Sequence, residues 1–254
     1  MTLELVDARC GQRGYPRVTK YDGCDQPDKN KIAWRKRIGN DYINNPHYIA
    51  QTELDITYTL NSRGYRCPEF SEIPWNDCYV FLGCSHTYGT GVDDNDTLPA
   101  VIERMTGIQC INLGIPGGCN HFSAINSAAL INDGFVPRGI FFQHTFESRW
   151  FTMEGEDGNN VKTHTVSNKN DSALYKQWLI SERTYKHSNK MTIDTVRALW
   201  KDRTTLQEYW INGSSILLDN QNDSWNSKWL SRDGQHFNAA HHDLIAEDLL
   251  KIIE

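Results

Sequence analysis

The stretch Tyr79–Val92, YVFLGCSHTYGTGV, runs four apolar residues into Gly-Cys-Ser-His-Thr and then into a glycine-rich turn. The apolar run predicts a short buried strand, and the small polar residues and glycines after it predict the strand–loop–helix step of an α/β fold. Ser85 falls just past the predicted strand end. A small polar group there is either a helix cap or a nucleophile. The rest of the chain decides between them by whether it supplies a base, an acid to orient that base and donors for an oxyanion.

The pattern repeats downstream. CYVFLG (78–83), IQCINLG (108–114) and GIFFQHT (139–145) read as strands, separated by helical spacing in TLPAVIERMTG (97–107) and NHFSAINSAALINDG (120–134). In the first of these helices Leu98, Val101, Ile102 and Met105 share a face and Gly107 is the stop. Nearly continuous apolar strands alternating with helices predict a parallel sheet of about five strands, covered by helices on both faces. Residues 153–171 have loop or hairpin composition, 172–188 and 192–212 look helical, and SSILLDN (214–220) reads as a fourth core strand. NAAHHDLIAEDLLKII (238–253) is a closing amphipathic helix, with Leu244, Ile245, Leu249 and Ile252 facing inward. Upstream, LDITYTLNSRGYR (54–66) alternates in strand fashion before a turn. Residues 1–53 read as a loop-rich N-terminal arm wrapping a single α/β domain of residues 54–254.

The bulk properties narrow the function classes. A net charge of −6, with no long basic run, argues against sustained binding to a nucleic-acid backbone. No stretch approaches the ~18 apolar residues of a membrane span, and the first residues lack an apolar h-region, so a cytoplasmic location is expected. The seven cysteines are odd in number and irregularly spaced, which favours reduced thiols over a disulfide framework.

Ligands of open α/β sheets bind beyond the carboxyl ends of the strands, where Ser85 is expected. A helix beginning nearby would favour negative charge at that spot. The second strand leads to INLGIPGGCNH (111–121), whose Pro-Gly-Gly suits a loop aiming backbone N–H groups into the same crevice. Gly117 is the candidate backbone donor and Asn120 a candidate side-chain donor; an ordinary turn is the competing reading. In SRDGQHFNAAHHDLIAEDL (231–249), Asp233 and His236 are three residues apart. On one turn that spacing lets the carboxylate hold the imidazole while the other ring nitrogen takes the serine proton. The competing reading is a plain Asp-Gly turn with a surface histidine. His241 is expected to face solvent or the loop below, outside the chemistry.

These blocks, in this order, resemble the SGNH (GDSL-like) hydrolases. LNSRGYR is similar to the N-S-x-G-[FY]-R lead-in of one branch, and FLGCSHTYGTGV to the nucleophile block G-D-S-x-T-x-G-x-G-V, with Cys84 in place of the aspartate. INLGIPGGCN resembles the second block, whose glycine N–H lines the oxyanion hole. RDGQHFNAAHHDLIAEDL resembles the terminal D-G-x-H-x-x-x-x-G-H block, with Ala240 where glycine is common. The resemblance spans about residues 54–150 and 230–252. It implies a flavodoxin-like three-layer α/β/α sandwich with a central parallel sheet. It also implies a serine esterase, often acting on acetyl esters of carbohydrates, with Ser85, His236 and Asp233 as triad and no cofactor.

One departure stands out. The family's third block, G-x-N-D, carries an asparagine that donates to the oxyanion. Here the segment reads FFQHTFESRW (141–150), with Glu147 or a neighbour in that place. His144, Thr145, Arg149 and Asn120 are the candidate replacements. Position 87 is threonine, so the G-x-S-x-G elbow of the α/β-hydrolases is not matched. Three rival readings stay open. Cys84-x-His86 and Cys119-x-His121 are possible metal ligands, although the spacing is not that of structural zinc clusters. The aromatic segments ESRWF, LYKQW and EYW suit a carbohydrate-binding module that has lost its chemistry. Acyl transfer to a sugar hydroxyl would use the same residues as hydrolysis.

Overall fold

The structure is a computed structural model, and it describes residues 3, 5–6, 8, 17–154, 160–165, 182–210 and 227–251. Its centre is a parallel sheet of β3 (Tyr79–Gly83), β4 (Cys110–Gly114), β5 (Gly139–His144) and β8 (Thr205–Trp210), in the order β4-β3-β5-β8. The first three strands are the apolar runs read from the sequence. Helices cover both faces, so the molecule is α/β as expected. Side chains alternate across the sheet. Val80, Leu82, Ile140 and Phe142 belong to a core with α5 (Asn120–Asn132) and α6 (Glu182–Trp200). Phe81, Phe141 and Tyr209 belong to a second core with α4 (Leu98–Thr106) and α7 (Ala239–Leu250). Phe81 and Phe141 stack across neighbouring strands at 4.3 Å between ring centroids.

The helix ends follow local rules. The Thr97 hydroxyl accepts from the Ala100 N–H at the start of α4, and Gly107 closes it in the left-handed conformation. Two positions expected to face inward are outward: Met105 on α4 and Leu244 on α7 are both exposed.

The fourth strand differs from its expected place. The helical spacing of 192–212 extends over residues 205–210, but α6 stops at Trp200 and the chain turns through Asp202, whose φ is +60°. TLQEYW then pairs with β5 from Gly139↔Thr205 to His144↔Trp210. The strand expected at 214–220 lies outside the described residues, as does the helix expected at 172–188 apart from its last turns. The hairpin composition of 153–171 is partly realised in β6 (Arg149–Glu154) and β7 (Asn160–Thr165), which pair antiparallel.

The N-terminal arm is more ordered than its composition suggests. It contains β1 (Arg17–Thr19), α1 (Pro27–Ile38) and α2 (Pro46–Thr52), and β1 pairs with β2 (Tyr58–Leu60). Both helices start with proline in the first turn, where its missing N–H costs nothing. Cys24, Cys67, Cys78, Cys84, Cys110 and Cys119 are all free thiols. No helix among the described residues is long and apolar enough to cross a membrane.

Candidate active site

The chain leaves β3 for β4 on one side, then crosses to β5 on the other. The carboxyl end of β3 is therefore where strand order reverses and a crevice opens. Ser85 sits there as the first residue of α3 (Ser85–Tyr88). A helix does begin here as expected, but with four residues α3 is a single turn and carries little dipole. What the turn provides is local: its first N–H groups lack intrahelical partners.

The Cys84–Thr87 turn and the turn after it are locked from three sides. Gln143, on β5, directs Oε1 at the N–H of Cys84 (3.3 Å), the N–H of Thr87 (3.2 Å) and the Thr87 hydroxyl (2.8 Å). Asn112, on β4, donates to the Thr87 carbonyl at 3.0 Å. Arg66 is buried beneath the following turn, donating to the carbonyls of Gly89 (2.6 Å) and Val92 (3.1 Å) and pairing with Asp94 at 2.6 Å. Gly114 makes the close approach possible, because a Cβ there would stand 2.3 Å from the Tyr88 nitrogen.

The terminal loop delivers the other two groups. His236 Nε2 lies 2.7 Å from Ser85 Oγ, and His236 Nδ1 lies 2.6 Å from Asp233 Oδ2. Asp233 Oδ1 accepts from the Ser231 hydroxyl (2.8 Å) and from the N–H groups of Gln235 (2.9 Å) and His236 (3.0 Å). Burial pushes the Asp233 carboxyl up, but the adjacent imidazole and these N–H donors outweigh it and hold the carboxyl below its usual range. Asp233 is 0% exposed, Ser85 5% and His236 7%. The geometry allows Nε2 to accept the serine proton while an ionised Asp233 steadies Nδ1–H.

The oxyanion candidates lie on the flanking strand ends. Gly117 holds φ +73°, a conformation that favours glycine. Among the described residues neither its N–H nor that of Ser85 makes a hydrogen bond. Asn120 is engaged on both ends of its amide: Oδ1 accepts from the Thr145 N–H at 2.9 Å and Nδ2 donates to Asn189 Oδ1 at 2.7 Å. That makes it a brace between the loop after β4, the end of β5 and α6. Arg149 donates to the Gly118 carbonyl at 3.0 Å and lies over the Phe146 ring.

The supporting shell comes largely from residues that stand in no recognisable motif. Asp25, in the arm, pairs with Arg232 at 2.5 Å and accepts from the Tyr58 hydroxyl at 2.6 Å. Trp34, on α1, donates from its indole N–H to the Arg232 carbonyl at 3.1 Å. The arm thus grips the residue that precedes Asp233. The signal for this contact in the sequence is Trp34 itself, a large aromatic in a mainly polar stretch.

The residues of the rival readings lie apart. Cys84 Sγ contacts Gln143 Oε1 at 3.6 Å, and the His86 ring packs on His236 and Phe237. Cys119 is in the core and His121 Nε2 meets the Ser188 hydroxyl at 3.2 Å. Among the described residues no group of three or more His, Cys, Asp or Glu side chains is arranged to hold a metal ion. Of the aromatic segments, Trp150 and Phe151 pack on the His121 ring and Tyr209 is core, while LYKQW lies outside the described residues. Of the two surroundings expected for His241, solvent or the loop below, the structure shows the second: it is buried and stacked at 4.1 Å on Phe237, in the loop that precedes α7.

Two cavities flank this end of the sheet. One of about 280 Å³ is lined by His144, Thr145, Glu147, Tyr185, Asn189 and Trp210. A larger groove of about 800 Å³ runs between α5, α6 and the hairpin, lined by His121, Ile125, Trp150, Phe151 and Met191. No protein-family model matches the sequence and no curated protein matches it.

Proposed function

We propose that this protein is an SGNH-type serine esterase, with the flavodoxin-like three-layer sandwich of that family, acting on a small-molecule or carbohydrate ester. The observation that carries the reading is the unbroken chain Ser85 Oγ, His236 Nε2, His236 Nδ1, Asp233 Oδ2, with links of 2.7 and 2.6 Å.

In this mechanism His236 removes the Ser85 proton as Oγ forms a bond to the ester carbonyl carbon. The carbonyl π pair moves onto oxygen, where the N–H groups of Ser85 and Gly117 meet it. Collapse of the adduct breaks the C–O bond to the alcohol, which leaves with the proton from Nε2. Water then attacks the acyl-enzyme, losing its proton to His236, and collapse of this second adduct breaks the acyl C–Oγ bond, releasing the acid as Ser85 takes back the proton from Nε2. Asp233 stays ionised throughout and stabilises the imidazolium.

The test is a panel of acetyl and longer-chain esters, acetylated sugars included, run on the wild type and on Ser85→Ala. The proposal expects turnover of at least one ester by the wild type and none above background by the variant. Equal rates for the two proteins, or no turnover by either, would count against it.

A further inference from the structure

Resting on the esterase reading, we propose that the Thr145 hydroxyl is a catalytic residue, the third donor to the substrate oxyanion beside the N–H groups of Ser85 and Gly117. Strand register gives the position. The last pairs of β3 are Leu82↔Phe142 with β5 and Gly83↔Gly114 with β4. Carrying the parallel ladder past its ends sets Ser85 level with Thr145 on one side and beside the Pro116–Gly117 turn on the other. The two flanks are physically tied, since the Thr145 N–H donates to Asn120 Oδ1 at 2.9 Å and Asn120 directly follows the Gly117–Cys119 loop.

Side-chain direction agrees. Gln143 points its amide at the Cys84–Thr87 turn, and alternation puts residue 145 on the same side as 143, with 144 opposite. His144 does lie opposite, wedged between the Phe142 and Trp210 rings with Nε2 3.5 Å from Glu208. Thr145 is 6% exposed, and its Oγ1 is buried without a hydrogen-bond partner among the described residues. Native structures seldom leave a buried hydroxyl unsatisfied, and such exceptions call for a functional account.

The neighbouring candidates are less suited. Asn120 is a brace, Arg149 is turned to Gly118, and Glu147 is a carboxylate that would repel developing negative charge. Thr145 combines the position with a buried hydroxyl that no other described group engages. As Oγ of Ser85 bonds to the carbonyl carbon and the π pair shifts to oxygen, the Thr145 O–H donates a hydrogen bond to that oxygen, without transferring the proton. The bond is relinquished when the pair returns and the alcohol leaves.

The experiment compares wild type, Thr145→Val and Thr145→Ser on an ester that the wild type turns over in a Ser85-dependent manner. Valine keeps the shape and deletes the hydroxyl; serine keeps the hydroxyl. The expected result is a fall in kcat of about 10²-fold for Thr145→Val with KM nearly unchanged, and near-wild-type kcat for Thr145→Ser. A boronic acid, whose Ser85 adduct carries the tetrahedral oxygen, should bind Thr145→Val more weakly by a similar factor. A Thr145→Val enzyme retaining kcat within about threefold overturns the assignment and leaves the esterase reading intact, as does a loss that serine fails to rescue. Absence of any Ser85-dependent turnover in the wild type removes both.

Discussion

His236 is held from two sides, by Ser85 at Nε2 and by Asp233 at Nδ1, and that double hold decides its tautomer. An ionised Asp233 requires the proton on Nδ1, which leaves the Nε2 lone pair facing the serine hydroxyl. Asp233→Asn would keep the shape and reverse the donor pattern. The expected effect is a loss of about 10⁴ in kcat with the fold intact, read by ester turnover alongside circular dichroism. The Asp233–His236 pair itself is legible in the sequence because the two residues are close along the chain and a single turn fixes their relation. The supports of the Ser85 turn are not. Gln143 and Asn112 look like ordinary polar residues in apolar strands, and only the pairing of β3 with β5 and β4 brings their amides to the Cys84–Thr87 turn.

At the level of elements, α3 rests directly on the end of β4, with no room for a side chain at Gly114. Gly114→Ala forces backbone against backbone. It is expected to destabilise the protein by about 1–3 kcal/mol in denaturant titration and to lower turnover by displacing Ser85. Strands β3, β4 and β5 are readable because each is a compact apolar run ended by a turn. β8 is not, since its polar Gln207 and Glu208 follow a helix with no proline between them. Its strand character comes from pairing with β5, a tertiary effect that local preference does not encode. α1 is hidden for the opposite reason. PDKNKIAWRKRI buries Asn30, Ala33 and Trp34 and little else, so no apolar stripe marks it. Its proline start, early Asp28 and late Arg35–Arg37 are the signals present.

For the whole molecule, the arm and the terminal loop form one unit through the Asp25–Arg232 pair, whose side chains are 0% and 4% exposed. Removing one partner strands the other charge in the interior. Asp25→Ala is therefore expected to cost about 3–5 kcal/mol in chemical denaturation, and to reduce turnover because Arg232 adjoins Asp233. The pH dependence of stability has a definite sign. Burial holds His241 and His242 down at about 4 each, so they stay neutral in the folded state while the unfolded chain takes up protons. Stability should therefore fall as pH drops from about 6.5 to about 4. Burial pushes the Glu208 carboxyl up, but His144 and Arg197 bring it down to about 2, so its contribution is lost only as pH falls below the ordinary carboxylate range. Melting temperatures measured across about pH 3–8 would show the first decline, and His242→Gln should make it shallower.

The esterase proposal requires Ser85 to be an activated nucleophile, and a fluorophosphonate, with the adduct located by mass spectrometry, probes that reactivity. One adduct is expected, on Ser85, absent from Ser85→Ala and formed much more slowly in His236→Ala. An unlabelled wild type, or an adduct on another residue that persists in Ser85→Ala, would contradict it.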